Sequence, residues 1–201
     1  MAITVEIIKG LRELTGAGVL DCKKALEQTG GDVDKAAAIL REQGLARAAK
    51  KATRVAREGL VEAYVHAGAR VASLVEVDCE TDFVARTDEF KALAHDLAMQ
   101  VAAAKPLYIG VEDVPPEVVQ ARRREYQDLV ALENKPERVR ETIVEGKMSK
   151  FCEQACLLEQ PFIKDGTVKI KDLINQHIAR LGENIVVRRL ARFAIGEDSE
   201  G

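Results

Sequence analysis

Few residues in this 201-residue chain could do covalent chemistry. The candidates are three histidines, His66, His95 and His177, and four cysteines, Cys22, Cys79, Cys152 and Cys156. A thiol beside an imidazole can act as a nucleophile, and Cys79 with His66 is the pairing this chain suggests. Cys79, however, alternates with Val75 and Val77 along an expected strand, which makes it a packing residue. Cys152 and Cys156 stand four apart on one face of an expected helix, with no histidine close in sequence, so a zinc site is not expected. No Cys-x-x-Cys, Gly-x-Ser-x-Gly, His-Glu-x-x-His or phosphate-binding glycine loop occurs. The residues therefore read as those of a non-enzyme without cofactor or metal. The thiols read as free and mostly buried.

Two other groupings could act on a macromolecule. The first is Asp82-Phe83. Val75, Val77 and Cys79 alternate with Glu76, Asp78 and Glu80, giving a strand with one apolar and one acidic face. The alternation stops at Thr81 and Asp82, both good N-cap types, and a helix is expected from about Arg86. Asp82-Phe83 thus falls in a loop between strand and helix, where a ring can be pushed into another molecule. The plainer alternative is that Asp82 caps the helix and Phe83 plugs the core. The second grouping is Arg47, Lys50, Lys51, Arg54 and Arg57, with no acid until Glu58. On a helix these share one face. That face is either an RNA-binding stripe, as in an RNA-binding accessory protein, or a solvated linker helix.

Composition favours the linker. Thirty basic against 33 acidic residues give a net charge of −3, without the basic excess of a general nucleic-acid binder. Aromatics are 4% and Trp is absent, leaving little stacking surface for single strands. With 47% hydrophobic residues the chain can build a core, yet no apolar run approaches the roughly 20 residues of a membrane span. The N-terminus, Met1-Ala2-Ile3-Thr4, has neither signal-peptide nor transit-peptide character, so the cytoplasm is the expected location.

The elements that must position these residues follow from periodicity and breakers. Three helices are expected over about 3–14, 19–28 and 33–43, ended by Thr15-Gly16-Ala17-Gly18, Gly30-Gly31 and Gly44. Together they make a small docking bundle over 1–45, joined by a basic linker helix over 46–58 to an α+β core over 59–196. Within the core a hairpin is expected from 60 to 79, turning at Ala67-Gly68-Ala69. Helices follow over about 87–104, 117–132, 137–145, 147–158 and 171–181, with Gly146 as a break and a small hairpin over 161–168. A final strand over 184–195 completes a small antiparallel sheet with helices on one face. Residues 197–201 read as a disordered tail.

Glu76-Val77-Asp78-Cys79-Glu80-Thr81-Asp82-Phe83-Val84-Ala85 resembles the most specific motif of the translation elongation factor Ts family. Leu11 to Leu26 resembles that family's N-terminal motif, and later stretches resemble it too, so the likeness covers nearly the whole chain. The resemblance implies a ubiquitin-associated-like bundle that contacts the G domain of elongation factor Tu through positions matching Arg12, Val19, Leu20 and Lys23. It implies a guanine-nucleotide exchange factor that acts on the GDP-bound form. Thr81, Asp82, Phe83 and Val84 would reach the Mg²⁺ site of that GTPase and dislodge the metal. Tyr64-Val65-His66-Ala67-Gly68-Ala69-Arg70 also resembles the family and makes His66 a candidate partner contact. Longer members carry two related core halves; here both motifs lie on one hairpin, so the chain resembles a short form and is expected to be a homodimer.

Overall fold

The computed structural model describes residues 3–131 and 136–197. Asn134 and Lys135 of one expected helix break, and residues 198–201 of the expected tail, lie outside the described residues. The architecture is α+β, as expected. Its residues group into two compact units, each assembled from separated stretches: 1–61, 76–94 and 172–187 in the first, 62–75, 95–171 and 188–201 in the second.

The first unit opens with helices α1 (Val5–Thr15), α2 (Val19–Gln28) and α3 (Val33–Lys51). Thr4 caps α1 by accepting from the Ile7 N–H at 3.4 Å, and Asp32 caps α3 by accepting from Lys35 N–H at 3.0 Å. Gly16 ends α1 at φ +67°, where its N–H reaches Arg12 O. A side chain would be strained there and would also run into Arg180. Leu11, Cys22, Ala25, Leu26, Ala36 and Leu40 form the bundle's core.

Two expectations for this region are corrected. Gly44 does not close α3, which runs on to Lys51. Ala36, Leu40 and Ala48 are buried at four-residue spacing, and Gly44 falls in that row, where a Cβ would stand 3.5 Å from Ala179 Cβ. Tertiary packing carries the helix through a residue that propensity alone would make a stop. The basic segment 46–58 is accordingly no separate linker helix. Arg47, Lys50 and Lys51 are the last turns of α3, while Arg54 and Arg57 lie beyond its end. Arg47 pairs with Asp21 at 3.0 Å and Arg54 approaches Glu80 at 3.6 Å, so the stripe is broken and partly spent on internal partners.

Strands β1 (Glu58–Val65), β2 (Val71–Cys79) and β5 (Val186–Ala194) form one sheet in the order β1-β2-β5. Arg57 N donates to Cys79 O and His66 N to Val71 O, so β1 and β2 run antiparallel as the expected hairpin. Ile195 N donates to Arg70 O, which brings the end of β5 to the start of β2. On β2 the alternation holds for Ser73, Val75, Val77 and Cys79, all buried. The opposite face is not simply acidic and solvated, because Asp78 is also buried.

In the second unit the buried face of β2 meets helix α5 (Asp88–Ala104), where the Ser73 hydroxyl donates to Ala98 O at 2.6 Å. Gln100, fully buried, donates to Gln160 Oε1 and Pro161 O and accepts from Ile163 N, which ties α5 to the small hairpin of β3 (Pro161–Phe162) and β4 (Asp165–Lys169). A buried amide with every partner in place fixes that hairpin more specifically than apolar contact would. Helices α6 (Pro116–Ala131) and α7 (Glu137–Ala155) pack through Val130, Val144 and Met148, with Tyr126 and Phe151 alongside. The expected interruption at Gly146 is absent, because Val144 and Met148 on either side of it are buried and hold one continuous helix. Helix α8 (Ile170–Leu181) precedes β5. Glu197 is not part of a free tail, since Lys105 and Arg192 both pair with its carboxylate.

Candidate functional site

Asp82 and Phe83 are not in a loop. They open a one-turn helix, α4 (Asp82–Ala85), whose cap is Thr81. Thr81 has extended backbone, and its hydroxyl accepts from the Val84 N–H at 3.5 Å. Asp82 sits in the first turn and pairs with Arg86 at 2.8 Å, so its carboxylate is oriented along the short helix. Ala85, one residue past Val84, is buried and anchors the turn from below. Thr87 then starts α5 by accepting from Phe90 N–H at 3.2 Å while donating to Val84 O at 2.8 Å.

This local geometry removes the core-plug reading of Phe83. Phe83 is 79% exposed, and Phe90, seven residues on, is the fully buried ring of the region. Phe83 is therefore no core plug. Its ring stands in solvent on a turn whose backbone is tied down at both ends.

The N-terminal motif divides in the same way. Cys22, Ala25 and Leu26 of α2 are buried, whereas Val19 and Leu20 are 51% and 72% exposed at its first turn. Arg12 is exposed on α1 and Lys23 on α2, the latter in a loose pair with Glu27 at 3.8 Å. Arg12, Val19, Leu20, Lys23 and Thr81–Val84 all belong to the first unit. His66 does not. It is exposed in the second unit, just past the end of β1, with its Nδ1 3.0 Å from the Tyr64 hydroxyl.

Several residues that hold this arrangement carried no local signal in the sequence. Arg180 and Glu89 line an open cleft with Lys9, Arg12, Glu13 and Gly16. Glu183 and Asn184 bind the start of α4 across about a hundred residues of chain.

The Cys79–His66 pairing does not form a nucleophile. The two belong to different units, Cys79 is buried, and burial followed by the nearby Glu183 carboxylate pushes its thiol up to about 11. Burial likewise pushes Cys156 up to about 12. All four cysteines are free thiols. Brief alkylation near neutral pH is expected to mark Cys152, which is half-buried, and to spare Cys22, Cys79 and Cys156 until the protein unfolds; peptide mass spectrometry reads the order. Among the described residues no cluster of His, Cys, Asp or Glu could hold a metal ion, and no helix is long and apolar enough to cross a membrane.

Val19, Leu20 and Phe83, apolar and exposed within the two motifs, are the surface features of a protein that docks on another macromolecule. The comparisons with known proteins place this chain within that class. The family profile described as elongation factor Ts matches residues 17–197. The chain is 57% identical over 200 residues to the elongation factor Ts of Thermotoga maritima, covering the whole of both chains. It is 56% identical over 195 residues to that of Carboxydothermus hydrogenoformans, covering 97% of this chain and 90% of the relative. This chain belongs to the elongation factor Ts family.

Proposed function

We propose that this protein is the guanine-nucleotide exchange factor for elongation factor Tu and works in the cytoplasm by docking, without covalent chemistry. The observation that carries the proposal is Phe83, a large ring held almost fully in solvent on a pinned turn within the family's most specific motif. Val19, Leu20, Arg12 and Lys23 supply a docking patch in the same unit, and His66 is a further contact. Glu80 ties the motif to the Asn184 N–H, while Thr81 to Val84 form the part that reaches the partner.

The mechanism is negative coupling between two ligands of one GTPase. Tu holds GDP through phosphate contacts and Mg²⁺. The factor binds best to a form in which those contacts are disturbed, so GDP and factor weaken each other's binding by the same factor. The Phe83 ring, entering beside the metal site, moves the groups that hold the Mg²⁺, and the phosphates lose their counter-ion. An acceleration of about 10⁴-fold requires roughly 5.5 kcal/mol off the barrier, which a buried aromatic anchor within a broad interface can supply. The direct test is release of fluorescent GDP from Tu with and without this protein; no acceleration would exclude the proposal.

Lys23 serves as a steering charge. Its side chain is 56% exposed, so Lys23→Ala leaves the fold unchanged. It is expected to slow association with Tu and to flatten the salt dependence of that rate. Stopped-flow association at low and high salt checks this, and an unaltered rate at low salt would remove Lys23 from the patch.

The chain also forms a homodimer, in keeping with a single core half. Ala63 and Val65 on β1, Leu74 on β2, Phe193 on β5 and Ile195 just past it are exposed. Exposed apolar side chains gathered on one small sheet are a surface that a second copy covers.

A further inference from the structure

The start of α4 is latched to the segment after α8 by two glutamates that act in opposite directions. Glu183 Oε2 accepts from Glu80 N–H at 3.1 Å and from Thr81 N–H at 3.0 Å, and its Oε1 accepts from the Thr81 hydroxyl at 2.6 Å. In return, Glu80 Oε1 accepts from Asn184 N–H at 2.7 Å. Asn184 is buried, and its amide donates to Arg54 O at 2.8 Å and Ala52 O at 3.4 Å. Gly182 closes α8 at φ +82° and sets the direction in which Glu183 leaves the helix.

We propose that Glu183 is a positioning residue for exchange, holding the Thr81–Val84 turn in the one geometry from which Phe83 can enter the partner. The proposal rests on the exchange reading above. The chemistry is specific to a carboxylate. Three donors converge on its two oxygens, two of them backbone N–H groups that α4 itself cannot satisfy, because they precede its first turn. Thr81 serves both sides: its hydroxyl donates to Glu183 while accepting from Val84 N–H, so the latch and the helix cap share one atom. Without Glu183 the cap loses its orientation and Glu80 and Thr81 N–H turn to water. The turn then samples other conformations, and Phe83 must be ordered at the moment of binding. Glu183 itself is partly buried and touches the turn, so it acts through Thr81.

The test uses the full chain with Glu183→Ala, Glu183→Gln and Phe83→Ala, and two readouts. In the free protein, amide hydrogen exchange at Thr81 is expected to quicken at least about tenfold in Glu183→Ala, as for a segment that opens locally. In GDP release from Tu, the rate at saturating factor is expected to fall roughly 10- to 100-fold, the cost of a misplaced reactive group. The half-saturating concentration changes little, because α1 and α2 still dock. Glu183→Gln keeps one acceptor oxygen and falls between; it also stands in if the alanine variant does not fold. A merely structural role predicts a lowered melting temperature with an unchanged saturating rate. Thr81 protection equal to wild type, or normal exchange by both Glu183 variants beside an inactive Phe83→Ala, overturns the latch alone. Slow exchange by Glu183→Ala beside a normal Phe83→Ala overturns the proposal together with the wedge, because the turn would then matter without the ring it is said to aim.

Discussion

Phe83→Ala is expected to abolish most exchange activity while leaving the protein as stable as before. The ring is 79% exposed, so its removal takes almost no apolar area out of the core, and surface changes of this kind stay within about 0.5 kcal/mol. Its loss on the partner side is of another order. An aromatic anchor at the centre of an interface is worth about 2–4 kcal/mol, or roughly 30- to 1,000-fold in the rate it controls. Phe90→Ala is the matched control. That ring is fully buried, and its truncation costs about 3–5 kcal/mol of stability. The two variants should therefore separate cleanly: Phe83→Ala melts normally and fails to release GDP, whereas Phe90→Ala melts much lower and exchanges while kept cold and folded. If Phe83→Ala instead lowers the melting point and keeps its exchange rate, the ring is structural and the wedge lies elsewhere.

The second large effect belongs to the sheet. Phe193 is 67% exposed, and Phe193→Asp is expected to convert the proposed dimer into 22.0-kDa monomers without loss of secondary structure. An unpaired carboxylate in a dry interface costs about 3–5 kcal/mol, as when a buried ion loses its partner. At about 1.4 kcal/mol per tenfold, the dissociation constant rises from roughly 100-fold to a few thousand-fold. Light scattering over a micromolar concentration series reads the change, with circular dichroism confirming the fold. A wild-type protein already monomeric across that range disposes of the homodimer.

Local chemistry made much of this protein legible before any coordinates. Gly16 and Gly30-Gly31 mark helix ends where the structure has them, because caps and turns depend on residues within four positions of one another. The hairpin around Gly68 and the alternation of Val75, Val77 and Cys79 are of the same kind. The motif around Thr81 pointed to the family, and the comparisons agree with it. Gly44 and Gly146 were misread as stops for the complementary reason. A glycine weakens a helix by about 1 kcal/mol, and burial of Leu40 and Ala48, or of Val144 and Met148, outweighs that small cost.

Whether Phe83 and Leu20 face solvent, and which of two nearby rings is the core ring, was settled only by the tertiary structure. Exposure is a property of what packs above a residue, and neither side chain has a local signal for it. The same holds for Glu183. Two of its hydrogen bonds close a separation of 102 residues to Thr81 and a third one of 103 to Glu80, and a lone Glu-Asn pair after a helix-ending glycine reads locally as nothing more than a turn. Sequence carries the motif because the contacts that define a cap are short in range. Only the fold can bring Glu183 to Thr81, because the pairing depends on the path of every element between them.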